Sequence, residues 1–459
     1  MQKARALISG SDLSSDAAVE ALLAVSYERR RMDLSDLSPS EQASLIASRC
    51  QALQPSVEAL AERIDHRIKK GQRFIAKFGI DPTGHEVHLG HAVPILLLSR
   101  FQRMGHQVVF IVGDVTAKIG DPSGRSDERP ALTDQQIAEN LATYKNQVSP
   151  LFDFSRAHFR HNGDWLRTTT LPRLIEICAH IPLSMPLQRD DFRKRLEAGH
   201  GLSLAELLYS VAMALDSVEV KADLEVGGID QFLNMQMCRK VMEISDQVPE
   251  VVAATPLVEG TDGTGAKMSK SRGNYVPLTA SATEVFGKMM SAPDKLVEPY
   301  LRALSEWDDS ELDLLSERIR SRDLHPMDAK KLMAAEITAG LHGIEAALQA
   351  RSDFTARFSK RSFSDVSDLP VLADADQSIS EAARALGFAK SNGDLRRLAG
   401  QGAVRLVAEE AEPAVLSIED LAKTVAEIVA ERSPSGQEPY LKVGRKLARI
   451  LLDAPGPKD

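Results

Sequence analysis

The sequence predicts an α/β protein of several domains: an open sheet of mainly parallel strands, then a helical domain, then a small α+β domain. Its 459 residues exceed the usual size of one domain, so two to four are expected. Residues 73–115 follow the order strand, turn, helix, strand, which is typical of a βαβ unit. Residues 282–358 carry a helical pattern throughout, and residues 361–459 mix helix and strand patterns.

The first element is a charged helical segment, residues 1–71, in which we find no strand signal. It ends in "DHRIKKG", a basic turn followed by glycine, which is a typical helix stop.

The βαβ unit begins with "RFIAKFGI", a predicted strand, and "DPTG", a predicted turn. The stretch "HLGHAVPILLLSRFQRMGH" predicts a helix that is apolar on nearly all sides and therefore buried. "QVVFIVGDV" is a second continuous apolar strand, of the kind found in parallel sheets. We therefore expect a ligand at the carboxyl end of the first strand.

Further helices, strands and loops are predicted after the βαβ unit. From Pro130 the pattern is rich in helix, and "EVGGIDQFLNMQMCRKVMEI" predicts a strand end, a glycine turn and a helix. "EGTDGTGAKMSKSRGN" has no periodicity and predicts a loop, and "SKRSFSDVSDLPVLADADQS" predicts a polar linker. The predicted divisions are residues 1–71, 72–283, 284–360 and 361–459.

Composition limits the classes of function. The formal net charge of −9 requires any nucleic-acid contact to use a local basic face. Cys50, Cys178 and Cys238 match no zinc or redox spacing and indicate buried thiols in a reducing compartment. Residues 1–10 lack the apolar stretch of a signal peptide, and the longest apolar run, residues 92–98, is too short to span a bilayer. We expect a cytoplasmic protein with no membrane partner.

Three histidines crowd into "GHEVHLGHAV": His85, His88 and His91. A metalloprotease helix needs histidines four apart, whereas these are three apart, so no tightly bound protein-ligated metal is expected. Exposed turn histidines are an alternative, above all for His85. A third interpretation uses position: His88 and His91 share one face of the first helical turn, where anions are already attracted, and Gly90 permits close approach. That arrangement predicts a phosphate site.

"KMSKS" supplies a second candidate for phosphate binding. Lys267 and Lys270 lie three apart on a glycine-rich loop, which alone is weak support because lysine–serine pairs are common on surfaces. The spacing does not match a Walker loop. Combined with "HLGH" about 180 residues upstream, the loop predicts joint handling of a nucleotide, with its glycines allowing closure.

"HLGH" together with "KMSKS" resembles the motif pair of class I aminoacyl-tRNA synthetases. "KFGIDPTGHEVHLGH", "IGDPSGR", "QRDDFRKR" and "YSVAMALDSVEVKADLEVGGIDQ" are similar to the bacterial tyrosyl-tRNA synthetases that have Lys-Phe before "GIDPT". The resemblance is specific over residues 73–290, is looser to the end, and does not cover the first forty or so residues. It implies a Rossmann-like catalytic domain, a helical anticodon-stem domain and an S4-like RNA-binding domain.

The resemblance implies a two-step reaction: ATP, with Mg²⁺, activates tyrosine to tyrosyl-adenylate, and the tyrosyl group then passes to tRNA(Tyr). No side-chain nucleophile is needed, so positioning and charge stabilisation would supply the catalysis. The implied catalytic residues are Thr83, His88, His91, Lys267 and Lys270. Further implied ATP-binding residues are Gly90, Gly228, Asp230 and Met268. Taken alone, Asp230 is equally well explained as a helix N-cap.

The resemblance also implies a tyrosine pocket, with Asp216 accepting the phenol hydroxyl. The implied tyrosine-binding residues are Gly79, Asp81, Asp121, Tyr209, Met213, Asp216 and Gln231. Met213 departs from the family, which has a glutamine there, and Leu215 replaces an aromatic residue. Because methionine cannot accept a useful hydrogen bond from an ammonium group, we expect Met213→Gln to strengthen tyrosine binding. The alternative is that Met213 packs in the core.

The tail is similar to an S4-like module, and its basic residues would bind phosphates of the tRNA. These residues are Arg396, Arg397, Arg405, Lys442, Arg445 and Lys446. Such charges are also typical of solvated helix faces. "FQRMGH" and the strand after it lie where the family's dimer contacts fall, which implies a homodimer, although apolar residues there fit intrachain core equally well.

Three other functions remain open at this point. One is tryptophan activation, which Asp216 opposes because an indole needs no acidic partner. Another is a paralogue that charges a modified tyrosine. The third is a degenerate synthetase kept as an RNA-binding protein, which the intact "HLGH" and "KMSKS" oppose.

Overall fold

A computed structural model describes residues 2–82, 86–121, 133–199, 201–358, 369–408, 414–433, 438–444 and 446–451. The chain forms two compact units, residues 1–351 and 352–459. The finer division of the sequence into four parts remains a proposal.

The first unit is built on a six-stranded sheet with the strand order β1-β6-β5-β2-β3-β4. Its strands are β1 Ala52–Gln54, β2 Ile75–Ile80, β3 Gln107–Val112, β4 His158–His161, β5 Leu224–Gly228 and β6 Val251–Thr255. All neighbouring pairs are parallel except β1 with β6. The central strand β2 pairs with β3 on one side and with β5 on the other. Strands β3 and β4 are added on one side of β2, and strands β5 and β6 are then added on its other side. A crevice at the carboxyl ends is expected at such a switch point.

The helices of the first unit cover both faces of this sheet and continue beyond it. They are α1 Gln2–Gly10, α2 Asp16–Arg29, α3 Pro39–Ala47, α4 Val57–Lys69, α5 Leu89–Arg103, α6 Thr116–Ile119, α7 Asp134–Val148, α8 Gly163–Leu166, α9 Leu171–Ala179, α10 Asp190–Glu197, α11 Leu204–Val220, α12 Phe232–Ile244, α13 Ala282–Ser291, α14 Val297–Leu304, α15 Asp309–Arg320, α16 Pro326–His342 and α17 Ile344–Phe358. Helix α17 runs across the boundary between the two units.

The predicted βαβ unit is confirmed as β2, α5 and β3. The apolar run of α5 is buried, with Ile95, Leu98 and Phe101 fully covered, as expected for a helix that is apolar on nearly every side. Strand β3 is buried along almost its whole length because neighbouring strands and helices enclose it.

Three strands of this sheet were missed in the sequence: β1 and β4 at its edges, and β6 between β1 and β5, although the buried run "VVAAT" of β6 was a usable signal. β1 falls in the segment predicted to contain no strand, and β4 falls in the segment predicted to be rich in helix. β1 has only three residues and pairs with β6 across 200 residues of chain, Ala52 opposite Ala254. β4, "HFRH", is largely exposed and carries no apolar run. Local pattern is too weak in such strands, and a long-range partner decides them.

The second unit has a five-stranded sheet with the order β7-β11-β10-β8-β9. Its strands are β7 Val371–Leu372, β8 Val404–Val407, β9 Ala414–Val415, β10 Tyr440–Val443 and β11 Lys446–Ile450, and its helices are α18 Ile379–Ala385, α19 Asn392–Gly400 and α20 Val425–Arg432. The predicted mixed α/β character is therefore confirmed, although β7 lies within the predicted linker. One face of the sheet, including Leu406 and Leu441, packs in a core with the helices. None of the described helices is long and apolar enough to cross a bilayer.

Candidate active site

The candidate site is the crevice at the carboxyl ends of β2 and β5. Gly79, near the end of the central strand β2, is exposed although it pairs with Ile111 of β3, while the pairing of β2 with β5 covers only Ala76 and Lys77. A Cβ atom built on Gly79 would meet no heavy atom within 4 Å. An exposed residue in a central strand indicates open space above the sheet, which is where a ligand fits.

Two histidines stand at the start of α5, beside this crevice. His88 is the N-cap residue, and its Nδ1 accepts a hydrogen bond from the Gly90 amide at 3.1 Å. His91 Nδ1 accepts one from the His88 amide at 3.2 Å, and the two ring centroids are 3.9 Å apart. Because each Nδ1 accepts, each neutral ring carries its proton on Nε2. The pair therefore offers two N–H donors at the positive end of a helix.

Both imidazoles are held neutral. Burial, aided by the His91 ring and the Lys270 ammonium, lowers the pKa of His88 to about 3. His91 is open to the crevice, yet desolvation by its neighbours and then the charge of Lys270 also lower its pKa. At neutral pH the two rings act as uncharged donors, so they add hydrogen bonds and no net charge to the site.

The "KMSKS" loop reaches the same helix tip. The Leu89 amide donates to the Val276 carbonyl at 3.0 Å, and His88 pairs with Pro277 in an isolated bridge. Met268 is buried, and its Cβ lies 4.0 Å from a Cβ built on Gly90. The structure thus brings together the histidine pair and the lysine loop, whose positions in the sequence differ by about 180 residues.

Asp230 lies between β5 and α12 and faces the lysine loop. Its Oδ2 accepts from Lys267 Nζ at 2.9 Å. Helix α12 begins after Gln231, and no side chain caps it, so the carboxylate of Asp230 is not used as an N-cap. A Cβ on Gly228 before it would lie 2.6 Å from Asp230 Oδ1, so a side chain there would displace this carboxylate.

A hydrogen-bonded chain of side chains crosses the floor of the crevice. Tyr209 OH donates to Asp81 Oδ2 at 2.8 Å, and Thr116 Oγ1 donates to Asp81 Oδ1 at 2.7 Å. Asn162 Nδ2 lies 3.0 Å from Thr116 Oγ1 and 3.5 Å from Asp216 Oδ2. These hydrogen bonds link Tyr209 and Asp216, the two residues of α11 that the sequence assigned to tyrosine recognition, and such networks fix the side chains that they connect.

Asp216 is buried at one end of this chain. Its Oδ1 accepts from Trp165 Nε1 at 2.9 Å. Desolvation raises the pKa of Asp216 to about 7, although the Lys77 ammonium and the hydrogen bonds from Trp165 and Asn162 oppose the shift. A carboxylate in this state can accept a further hydrogen bond from a buried hydroxyl, which is the chemistry that a phenol offers.

Asp121 and Gln231 meet at the opposite end of the crevice, where Gln231 Nε2 donates to Asp121 Oδ2 at 2.7 Å. Met213 is half-buried, and it packs against the clusters that contain Met237 and Met235. Part of the Met213 side chain therefore packs in the core, as the alternative interpretation proposed, and the rest of the side chain is accessible.

The predicted RNA-binding residues all belong to the second unit. Arg405 and Lys442 are exposed and stand directly opposite each other on β8 and β10. Arg396 is exposed on α19, and its neighbour Arg397 pairs with Asp394 at 2.7 Å. Lys446 is exposed and donates to the Gly387 carbonyl. Two predicted residues, Thr83 and Arg445, lie outside the described part of the chain.

Sequence reasoning missed the partners of Asp81 and Asp216. Thr116, Asn162 and Trp165 lie at the carboxyl ends of β3 and β4, and the missed strand β4 hid the last two. "HNGDWL" offered one signal, since Trp165 is one of only two tryptophans. Gly113 was missed as well, although a Cβ there would come within 1.9 Å of Asp81 Oδ1.

One trio among the described residues could hold a metal by proximity alone: Glu225, Cys238 and Glu250, all buried. Lys77 Nζ lies among them, 2.8 Å from Glu225. The lysine ammonium already supplies the positive charge that these carboxylates require.

With the geometry established, comparisons with known proteins give the family. The family described as class I tRNA synthetases (W and Y) matches residues 69–359. A tyrosine–tRNA ligase of Thermotoga maritima is 36% identical over 416 residues, covering 90% of this chain and 98% of the relative. One of Aquifex aeolicus is 36% identical over 375 residues, covering 82% and 93%.

Solved structures agree in fold. A C-terminally truncated mitochondrial tyrosyl-tRNA synthetase of Aspergillus nidulans has a TM-score of 0.55 at 21% identity, covering 75% of this chain and all of that one. The Archaeoglobus fulgidus tyrosyl-tRNA synthetase complexed with L-tyrosine has a TM-score of 0.54 at 22% identity, covering 68% and 99%.

Proposed function

The chain belongs to the class I tRNA synthetases for tryptophan and tyrosine, and we propose how its residues divide the work of a bacterial tyrosine–tRNA ligase. The enzyme activates tyrosine with ATP and transfers it to tRNA. The observation that carries the assignment of residues is the proximity of the His88–His91 pair to the Lys267–Lys270 loop at the tip of α5. Asp81, just after β2, is linked through Thr116 and Asn162 to the buried Asp216.

Activation needs stabilisation of charge that grows on the phosphates when the tyrosine carboxylate attacks the α-phosphate. The neutral Nε2–H groups of His88 and His91 would donate to these oxygens from one side. Lys267 and Lys270 would supply positive charge from the loop. In the described structure Lys267 pairs with Asp230, so ATP binding would have to exchange that partner for phosphate. Asp230 would then be free to accept from a ribose hydroxyl.

Mg²⁺ would accompany ATP in this reaction. The described groups that we assign to the phosphates are imidazoles and ammonium groups, whereas Mg²⁺ prefers oxygen ligands. Mg²⁺ would therefore enter with ATP and help to neutralise the phosphate charge, and these imidazole and ammonium groups would not hold it.

Tyrosine would lie along helix α11, between Asp216 and the Asp121–Gln231 pair. Asp216 would accept from the phenol hydroxyl, and Asp121 would accept from the ammonium. Tyr209 and Asp81 are bonded to each other, which holds both at the ammonium end. The open space at Gly79 would receive the body of the substrate. Tyrosine would be preferred over phenylalanine, because phenylalanine would leave the buried carboxylate unpaired.

The second unit would bind the tRNA through the open face of its sheet. Like charges directly opposite each other, as Arg405 and Lys442 are, destabilise a sheet unless an anion lies between them. Backbone phosphates of RNA are such anions.

We also propose a homodimer and a cytoplasmic location. "FQRMGH" no longer supports the dimer, because Phe101 and Met104 are buried within their own chain. Leu171, Ile175 and Leu183 are instead strongly exposed around α9, and a second copy would cover them. Sedimentation of the wild type and of Ile175→Asp tests this placement: a dimer that the substitution dissociates supports it, and a monomeric wild type contradicts it.

Specificity for a modified tyrosine is the second candidate, because Met213 and Leu215 replace the usual family residues beside the pocket. One assay distinguishes the candidates: ATP–pyrophosphate exchange in the presence of tyrosine, phenylalanine, tryptophan or a ring-substituted tyrosine. We expect exchange with tyrosine and none with phenylalanine or tryptophan. A clear preference for a substituted tyrosine would favour the second candidate, and no exchange with any of them would contradict an enzyme.

A further inference from the structure

A second row of polar side chains runs from the core of the first unit to Asp121. Arg189 Nη1 donates to Asn234 Oδ1 at 3.0 Å, and Asn234 Nδ2 donates to Gln231 Oε1 at 2.9 Å. Gln231 Nε2 then donates to Asp121 Oδ2 at 2.7 Å. Three consecutive hydrogen bonds therefore connect a buried guanidinium to the candidate ammonium-binding carboxylate.

The arginine end of this row is fixed in place. Arg189 is 7% exposed, and its Nε and Nη2 donate to the two oxygens of Asp191 at 3.1 and 2.8 Å. The guanidinium also lies over the Phe192 ring, 4.8 Å from its centroid. A planar donor group held on two edges and one face has little rotational freedom.

Because one end of the row only donates and the other end only accepts, its hydrogen bonds can run in only one donor-to-acceptor direction. A guanidinium has donors and no acceptor, so Asn234 must turn its oxygen toward Arg189 and its nitrogen toward Gln231. Gln231 must then offer its oxygen to Asn234 and its nitrogen to Asp121, which as a carboxylate only accepts. Asn234 is 1% exposed, so water cannot readily replace either bond. Each amide is thereby held in one of its two flipped orientations.

We propose that Arg189 and Asn234 are positioning residues for recognition of the substrate's α-ammonium group. They hold the Gln231 amide with its N–H toward Asp121, and that N–H fixes the carboxylate that receives the ammonium. This inference rests on the proposed function, which places the amino group of tyrosine at Asp121.

Asn234→Asp is the sharpest test, because it replaces one NH₂ group by oxygen at nearly constant volume. The new carboxylate still accepts from Arg189, but it has no N–H for Gln231, so the row loses its direction. Calorimetry would measure binding of tyrosine and of 3-(4-hydroxyphenyl)propionate, which is tyrosine without the amino group. We expect tyrosine to bind on the order of tenfold more weakly or worse. Binding of the desamino analogue should change by no more than about twofold.

Three further variants and one control variant distinguish a positioning role from a general loss of stability. Asn234→Leu removes both bonds without adding a charge and should give the same selective loss. Arg189→Lys keeps a group that only donates and should recover much of the tyrosine affinity, whereas Arg189→Gln, whose amide can turn either way, should not. Arg193→Gln is the matched control, because it breaks an exposed ion pair with Asp190 within α10. It should leave the affinities for tyrosine and for the desamino analogue unchanged.

Equal losses for tyrosine and the desamino analogue, or no loss for either, would overturn the inference. ATP–pyrophosphate exchange by the unmodified enzyme distinguishes a failure of this inference from a failure of the proposed function. Absence of tyrosine-dependent exchange in the wild type would count against the function, while selective loss in calorimetry would still support the row of hydrogen bonds.

Discussion

At the scale of single residues, Met213 is an apolar side chain among the polar residues that we assign to tyrosine binding. It lies between Tyr209 and Asp216 along α11, half-buried against an apolar cluster. We predict that Met213→Gln tightens tyrosine binding, because an amide oxygen can accept from the ammonium and a thioether cannot. Calorimetric titration with tyrosine measures the change. Unchanged or weaker affinity would place residue 213 away from the ammonium.

Asp216 gives the site a pH dependence. With a pKa raised to about 7, its carboxyl is protonated below pH 7 and ionised above it. Since the ionised form accepts the phenol hydroxyl, tyrosine affinity should fall as the pH decreases, by about tenfold between pH 8 and pH 6. His88, with a pKa of about 3, does not titrate in this window.

Binding of tyrosine measured from pH 6 to pH 8 checks this prediction. Asp216→Asn removes the titrating group, so its affinity should be weaker but independent of pH. A wild-type affinity that is flat across this range, or that rises toward acid pH, would contradict the assigned role of Asp216.

At this scale the sequence predicts side chains better than it predicts their partners. Tyr209, Met213 and Asp216 recur at i, i+4 and i+7 in the sequence, a spacing that predicts one helix face, and all three lie on α11. The donors to Asp216, Trp165 and Asn162, follow a strand whose own sequence carries almost no signal. Their proximity depends on pairing of β3 with β4, which only the folded sheet defines.

At the scale of elements, apolar runs located β2, β3 and α5 in the core. The buried strand β6 was missed despite its apolar run, whereas β1 and β4 have weak patterns and depend on pairing with β6 and β3. The lysine loop was recognised from composition, but the segment just after it is joined to the tip of α5 by the hydrogen bond from the Leu89 amide to the Val276 carbonyl. No local pattern encodes that pairing.

The amino-terminal helices, which the family resemblance did not cover, brace the helical part of the first unit. Arg29 at the end of α2 donates to both oxygens of Glu311 on α15, each at 2.6 Å, and Glu311 is fully buried. Trp307 Nε1 donates to Ser26 Oγ at 3.0 Å beside it. Glu306, in the same region, accepts from Arg100 and Arg103 near the end of α5. The helix that carries the histidine pair is thus held at its far end.

We predict that Arg29→Ala lowers the free energy of unfolding by about 3–5 kcal/mol, because it leaves a buried carboxylate without its partner. Denaturant unfolding of the full chain measures the loss. Arg320→Ala, which breaks an exposed pair with Glu317, is the control and should cost little. Equal effects of the two substitutions would contradict the brace.

At the scale of the whole molecule, the chain forms two compact units. We therefore expect substitutions in the second unit to weaken tRNA binding without affecting the activation of tyrosine. Arg405→Glu combined with Lys442→Glu should weaken tRNA binding and lower its salt dependence by roughly one to two phosphate contacts. ATP–pyrophosphate exchange should stay unchanged, because the candidate active site lies in the first unit. Binding titrations at several salt concentrations check this.

Arg384→Glu, on an exposed face of α18, is the matched control for that experiment. If it weakens tRNA binding as much as the double substitution does, net charge and not the sheet face explains the effect. Loss of pyrophosphate exchange in the double variant would contradict the division of labour between the units.

In the proposed mechanism, the histidine pair and the lysine loop act on the same phosphates in one step. The most direct measurement of this is the single-turnover rate of tyrosyl-adenylate formation in His91→Ala and Lys270→Ala, with tyrosine affinity measured alongside. We expect each substitution to slow this step on the order of 10²–10³-fold and to leave tyrosine binding nearly unchanged. Adenylate formation at the wild-type rate in either variant would contradict it.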